Sequence, residues 1–360
     1  ELFKVKADFA TQMKEDRRNT DNLLRFVCTF CEKEKIRHMD AGGVARFVEQ
    51  AHRLAEHKQK LSTNFGSLAD LIREADHWAG RDGAELIGAE HVRRALEQKV
   101  YRSDLLEERI RELIEQGAIL IDTRGKVTGQ LNGLSVIDLG DYRFGRPSRI
   151  TATVTPGRRG VVDIERQARL GGPLHSKGVL ILSGFLSGAY ASSVPLSVSA
   201  RIVFEQSYEG VDGDSASSAE LYAILSALSA IPLKQSIAAT GSVNQRGEIQ
   251  AVGGINEKVE GFFDVCRVAG LSGEQGVIIP RSNVQNLMLR EDVVEACSEG
   301  RFNVWPVSTV AEGFEILTGE EAGVRDEQGR YPESSLNERV QKRLEQYALS
   351  LKEYFPSGLE

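Results

Sequence analysis

Residues 276–307 read GVIIPRSNVQNLMLREDVVEACSEGRFNVWPV, and the change of texture along them decides the fold class. The run from Gly276 to Pro280 is short, apolar and β-branched and is closed by proline, the pattern of a buried strand. A helical stretch to Ser298, a second strand from Val304 to Val307 and a helix to Leu317 follow. Strand, helix, strand and helix in that order imply some parallel pairing. The same texture extends back to Ala118, with strands expected at residues 119–122, 134–139, 149–154, 179–182 and 197–204. Helices over residues 215–230 and 255–269 interrupt them. Residues 118–318 therefore read as a mixed α/β domain.

Upstream, residues 18–116 are helical almost throughout. Leu23, Leu24, Phe26, Val27 and Phe30 make one apolar stripe. Asp40 can cap a second helix carrying Val44, Phe47, Val48 and Leu54. A third, after Ser62, carries Leu68, Leu71, Ile72, Ala75 and Trp78 and stops at Gly80 and Gly83, which tolerate positive φ. The fourth begins near Ala89 and is expected to continue through Leu105, Ile110 and Leu113 to Gly117. Residues 1–117 are thus an all-α region. Beyond residue 319 a polar linker leads to an amphipathic helix of Leu336, Val340, Leu344, Tyr347, Leu351 and Tyr354, behind a capping box of Ser335 and Glu338. The fold class is α+β, with the helical region first.

The chain has 360 residues, enough for two cores, and with 41% hydrophobic and 27% charged residues it is globular in composition. A formal charge of -7 argues against phosphate-backbone binding as the main activity, which needs concentrated positive charge. The longest apolar stretch, near Gly178 to Phe185, falls far short of the roughly 20 residues that cross a bilayer. No leader opens the chain, and a cytoplasmic location is expected. Cys28, Cys31, Cys266 and Cys297 are too few and scattered for a disulfide framework. The Cys28 and Cys31 pair lies in a helical run without a second ligand pair and reads as core, so no metal is expected. The start without methionine and the Leu359-Glu360 end suggest a piece of a longer protein.

Two segments carry chemistry. Asp212-Gly213-Asp214-Ser215-Ala216-Ser217 runs from a glycine turn into a helix of small residues and leucines, which would present Ser215 where free N–H groups and the helix dipole can stabilise an oxyanion. The plainer reading of Ser215 is an N-cap. A nucleophilic serine needs a base, and His175 is the one histidine of this half. Lysine is the other candidate: Lys258 shares a helix face with Ile255 and Phe262, and an amine held among apolar groups loses solvation of its charged form. Its alternative is a stem packed on that face with the ammonium reaching water.

These two segments, with Gly241-Ser242-Val243-Asn244-Gln245-Arg246-Gly247-Glu248-Ile249 between them and Gly253-Gly254-Ile255-Asn256-Glu257-Lys258 closing the set, resemble in order and spacing the protease domain of Lon-like ATP-dependent proteases. The D-G-D-S-A-S form is nearest the archaeal-type branch and its bacterial relatives, and the likeness is close from about Gly129 to Gly319. It implies a Ser215–Lys258 dyad hydrolysing peptide bonds of unfolded or damaged proteins. It further implies that Thr240 orients the lysine and that Leu174-His175-Ser176-Lys177-Gly178 leads into a strand beside the substrate cleft. His175, Gly213 and Asp214 would then be cleft residues. Asp212, as a supporting residue, could pair with Lys258 at rest, the alternative for Asp212 and Asp214 being solvated turn carboxylates.

The helical region resembles the small lid of an AAA+ ATPase, through Phe3-Lys4-Val5-Lys6-Ala7-Asp8-Phe9 and Leu61-Ser62-Thr63-Asn64-Phe65-Gly66. In such a lid Arg73 is the candidate to sense nucleotide, its alternative being an exposed helix arginine. The chain contains no G-x-x-x-x-G-K-[ST] loop, so it is not expected to hydrolyse ATP by itself. ATP and Mg are implied for the full-length protein, with a hexameric ring, unfolded polypeptides as substrates and no membrane partner. Two other readings remain open: a latent, assembly or chaperone-like module with a misaligned dyad, and a Ser-His hydrolase centred on His175.

Overall fold

The structure is a computed structural model that describes residues 5–191, 195–208 and 210–354. Phe3, Lys4, Leu359, Glu360 and the side chain of Tyr354, named above, lie outside the described residues. The chain forms two compact units, one running to Glu108 together with Gln285–Leu289, the other comprising Arg109–Val284 and Arg290–Glu360.

The first unit holds helices α1 (Arg17–Glu34), α2 (Ala41–Leu54), α3 (Phe65–Arg81) and α4 (Ala89–Tyr101). Each of the first three starts where a short polar side chain accepts an orphan N–H: Asp16 from Asn19, Asp40 from Gly43 and Asn64 from Ser67. Leu23, Val27, Phe47, Leu68, Ile72 and Val92 meet in one core. Cys31 is part of it, whereas Cys28 is exposed, so the expectation of two core cysteines holds for one. The long fourth helix is in fact two. A new helix, α5 (Leu105–Glu115), begins where the Asp104 carbonyl accepts the N–H of Glu108.

The second unit is built on a seven-stranded mixed sheet. In chain order its strands are β1 (Gln130–Asp138), β2 (Arg143–Pro156), β3 (Gly160–Asp163), β4 (Val198–Phe204), β5 (Ile237–Ala239), β6 (Gly276–Pro280) and β7 (Asn303–Val307). Across the sheet they run β7-β6-β5-β1-β2-β4-β3. The β7, β6, β5 and β1 side is parallel, as the 276–307 pattern implied, while β2 pairs antiparallel with both β1 and β4. The helices are α6 (Pro173–Tyr190), α7 (Ser217–Ser229), α8 (Ile255–Ala269), α9 (Glu291–Ser298), α10 (Val310–Thr318) and α11 (Leu336–Tyr354). Almost every residue of α7 is buried, because its small side chains and leucines let strands and helices close on it from all sides. Leu336, Val340 and Leu344 of α11 join the same core, and α11 packs on α7. No helix among the described residues is long and apolar enough to cross a membrane.

Two expected strands are absent. Residues 179–182 lie inside α6, where Val179, Leu182, Leu186 and Tyr190 are buried at helical spacing and Leu180 faces outward. Pro173 in the first turn pre-sets the helix. Residues 119–122 form no ladder because side-chain amides take their backbone groups: Gln206 accepts from the Leu120 N–H and donates to the Ala118 carbonyl, and Asn132 donates to the Asp122 carbonyl.

Candidate active site

The turn before α7 is stitched to the chain leaving β5. The Gly241 N–H and the Thr240 hydroxyl both donate to the Ser215 carbonyl, at 2.8 and 3.0 Å. Ser218 N–H returns a bond to the Gly241 carbonyl at 3.0 Å, and the Ser242 hydroxyl donates to Asp214 Oδ2 at 2.7 Å. Thr240 is itself fixed to the sheet through its N–H on the Ile278 carbonyl of β6. Gly213, at φ 96°, supplies the left-handed residue that a side chain would resist. Ser215 is thus held at the mouth of a buried helix by a strand end, with its own side chain partly exposed.

Lys258 sits in the first turns of α8, which starts at Gly254 with φ 64°. Only 3% of its surface is exposed, so the alternative of an ammonium reaching water does not hold. Burial pushes its pKa down to about 8, opposed by the negative charges of Asp214 and Glu257. Asp214 directly precedes Ser215, so the field that acts on the amine comes from the serine turn itself. A depressed lysine beside a helix N-terminus can take and return a proton near neutral pH.

The remaining expected site residues separate. Thr240 bonds the serine segment, and having given its proton to the Ser215 carbonyl its oxygen can act only as an acceptor toward an amine. Asp212 does not pair with Lys258: its Oδ1 accepts the N–H groups of Leu174 and His175 at 3.1 and 3.3 Å, capping α6. Those bonds and the Gly213 N–H hold its carboxyl below the usual range. His175 is not a cleft residue but is buried, with Nε2 at 3.1 Å from Asp163 Oδ2 and 3.8 Å from Glu220 Oε1. Arg73 is exposed, paired with Asp70 and Glu34 and lying over the Phe30 ring. Asp163, Glu165 and Glu220 were missed as a group around His175. The available signal was a lone acid at position 220 in an otherwise small and apolar helix.

Residues 38–102 match the family described as archaeal LonB, AAA+ ATPase lid domain, and residues 206–318 match the Lon protease (S16) C-terminal proteolytic domain. A putative Lon protease homolog of Escherichia coli (strain K12) is 44% identical over 249 residues, covering 69% of this chain and 42% of that protein. One of Haemophilus influenzae is 37% identical over 307 residues, 84% of this chain and 50% of that protein. An archaeal Lon protease of Archaeoglobus fulgidus is 31% identical over 307 residues, 84% of this chain and 46% of that protein. The chain spans about half the length of these curated relatives.

Proposed function

Because this chain belongs to the Lon protease family, carrying its AAA+ lid and its C-terminal proteolytic domain, we propose that it is the peptidase portion of an ATP-coupled protease that cuts unfolded polypeptides with Ser215 as nucleophile and Lys258 as base. The observation that carries this reading is the buried Lys258 amine, depressed to about 8, within the field of the turn that bears Ser215.

In the proposed cycle neutral Lys258 takes the Ser215 hydroxyl proton as Oγ attacks a peptide carbonyl. About a tenth of the amine is neutral at pH 7 for a pKa near 8. The tetrahedral oxyanion is held by the N–H groups of Ser215 and Ala216, since those of Ser217 and Ser218 are already given to the Asp214 and Gly241 carbonyls. Collapse expels the amine, which takes the proton back from Lys258. Water then enters by the same base and releases the acyl group. Thr240 keeps the serine turn in register with the sheet, being tied to the Ser215 carbonyl and to β6.

Nucleotide chemistry is proposed to come from outside the residues present. The sequence has no phosphate-binding loop, and Arg73 is engaged with Asp70, Glu34 and Phe30. ATP and Mg would belong to the part of the longer protein that its relatives possess and this chain does not span. Assembly into a hexameric ring and a cytoplasmic setting are proposed with them.

The test is cleavage of casein and a fluorogenic peptide by the chain and by Ser215→Ala and Lys258→Ala variants shown to be folded. Loss of cleavage in both supports the dyad. Full activity in either overturns it, as does a folded, ring-forming wild type that cuts neither substrate.

A further inference from the structure

Behind the serine turn lies a second cluster of titratable groups that the dyad does not use. Asp163 closes β3, Glu165 follows it in the short helix Ile164–Gln167, His175 is in the first turns of α6 and Glu220 is on α7. All four are between 1 and 3% exposed. One donor atom each from Asp163, Glu165 and His175 lies within 4.8 Å of the others, and Glu220 Oε1 stands 3.8 Å from His175 Nε2. Glu165 Oε2 and Glu220 Oε1 are buried without a hydrogen-bond partner among the described residues, and His175 Nε2 faces Asp163 Oδ2 at 3.1 Å without the alignment of a good hydrogen bond.

Charge makes this arrangement costly as it stands. Three carboxyl groups face one imidazole, and among the described residues no ion pair joins any of them to a lysine or arginine. Burying uncompensated charge is strongly unfavourable, so the cluster must hold either protons or a cation. Protons alone serve it poorly. One on Glu165 can be shared with Asp163, but Glu220 Oε1 stands 3.8 Å from His175 Nε2 and has no hydrogen-bond partner among the described residues to take a proton from it. The other lone pairs are already assigned: Glu165 Oε1 accepts the Phe204 N–H at 2.9 Å, and Asp163 accepts those of Glu165 and Arg166 at 3.1 and 3.3 Å. These bonds hold the carboxyls of Asp163 and Glu165 in place beside His175.

We propose that Asp163, Glu165 and His175, with the carboxyl of Glu220 beside them, form a buried binding site for one divalent transition-metal ion, Mn²⁺ or Zn²⁺, independent of the dyad. Metal–donor lengths of about 2.0–2.2 Å need donor atoms roughly 3–4 Å apart, so the three donor atoms, which lie within 4.8 Å of one another, would draw in by less than about 2 Å on the ion. An imidazole among the carboxylates favours Mn²⁺ or Zn²⁺ over Ca²⁺, which takes six or more oxygens. A +2 ion cancels most of the buried charge. It would also pin two segments beside Ser215: the start of α6, whose Leu174 and His175 N–H groups Asp212 caps, and α7, which carries Glu220.

The full chain, purified without chelator, is assayed for bound metal, then stripped and titrated calorimetrically with MnCl₂ and ZnCl₂, with MgCl₂ and CaCl₂ in parallel. Expected are one ion per chain, a roughly micromolar Kd for Mn²⁺ or Zn²⁺, and weakening of about tenfold or more in Glu220→Gln and Glu165→Gln. Saturation should raise the melting temperature by roughly 5 °C at a hundredfold excess over Kd. Pulsed EPR of the Mn²⁺-loaded wild type should show coupling to one imidazole nitrogen, a readout that does not depend on any variant folding. Absence of binding, binding unchanged in both variants, or Mn²⁺ without nitrogen coupling would each overturn the site.

Discussion

A Cβ on Gly261 would stand 2.2 Å from the Gly145 carbonyl oxygen, and one on Gly145 would stand 1.9 Å from the Glu257 carbonyl. Helix α8 and strand β2 therefore meet backbone to backbone, one turn of helix from Lys258. The two missing side chains bring the lysine into the sheet's interior, where it loses water and its pKa falls. The position of Lys258 and its depressed pKa go with the same contact.

Gly261→Ala should force α8 away from β2. Overpacking of this kind costs about 1–3 kcal/mol. Urea melts should show that loss, and peptide cleavage should fall by more than the unfolded fraction explains because Lys258 moves with the helix. A chain of unchanged stability and full activity would show that the close approach does not position the base.

Lys258→Met should be more stable than wild type at pH 7. The folded pKa, about 8, lies below the ordinary 10.5, so between those values the unfolded state holds more protons and wild-type stability rises with pH. The penalty is complete below about pH 8 and gone above about 10.5. The gap corresponds to on the order of 3 kcal/mol at neutral pH. Urea melts of both proteins at pH 7 and pH 10.5 check it: the variant's advantage should shrink at the higher pH, and a variant less stable at pH 7 refutes the depressed amine.

Much of this was legible in the sequence, for identifiable reasons. Residues 255–269 and 276–280 have unmixed periodicity and glycine or proline boundaries, and the structure places α8 and β6 there. Residues 179–182 misled because four apolar residues in a row suit a strand and a buried helix alike, and the deciding feature, Pro173 at the helix start, lies six residues away. β3, a four-residue edge strand, is too short to show alternation. The acid cluster escaped because its members come from four elements and meet only in the tertiary fold. The helix-capping part of Asp212 was not legible because spacing cannot tell a turn carboxylate that caps a neighbouring helix from one that faces solvent or an amine.

Thr240→Val should remove one of the two donors on the Ser215 carbonyl while the Gly241 N–H remains. Stability should fall by about 1 kcal/mol, the worth of an ordinary hydrogen bond. The kcat should drop by roughly ten- to a hundredfold with little change in KM, because the reacting groups and not the substrate subsites are disturbed. Thr240→Ser, which keeps the hydroxyl, should restore most of it. Equal kcat in the valine variant and wild type would leave Thr240 as a strand residue only.

Asp212 and Asp214 flank the serine turn yet should behave oppositely. Asp214 acts on Lys258 by charge and favours its ammonium form, so Asp214→Asn lowers the lysine pKa further. The rising limb of kcat/KM, set near pH 8 by deprotonation of the base, should move to lower pH by roughly half a unit or more. An asparagine oxygen can still accept from Ser242, so the turn is kept. Asp212 instead caps α6, and Asp212→Ala should cost about 1 kcal/mol of stability while leaving the limb in place. Profiles of kcat/KM against pH for both variants separate the roles: a limb that moves in Asp212→Ala and stays in Asp214→Asn would reverse the assignment and return Asp212 to the base.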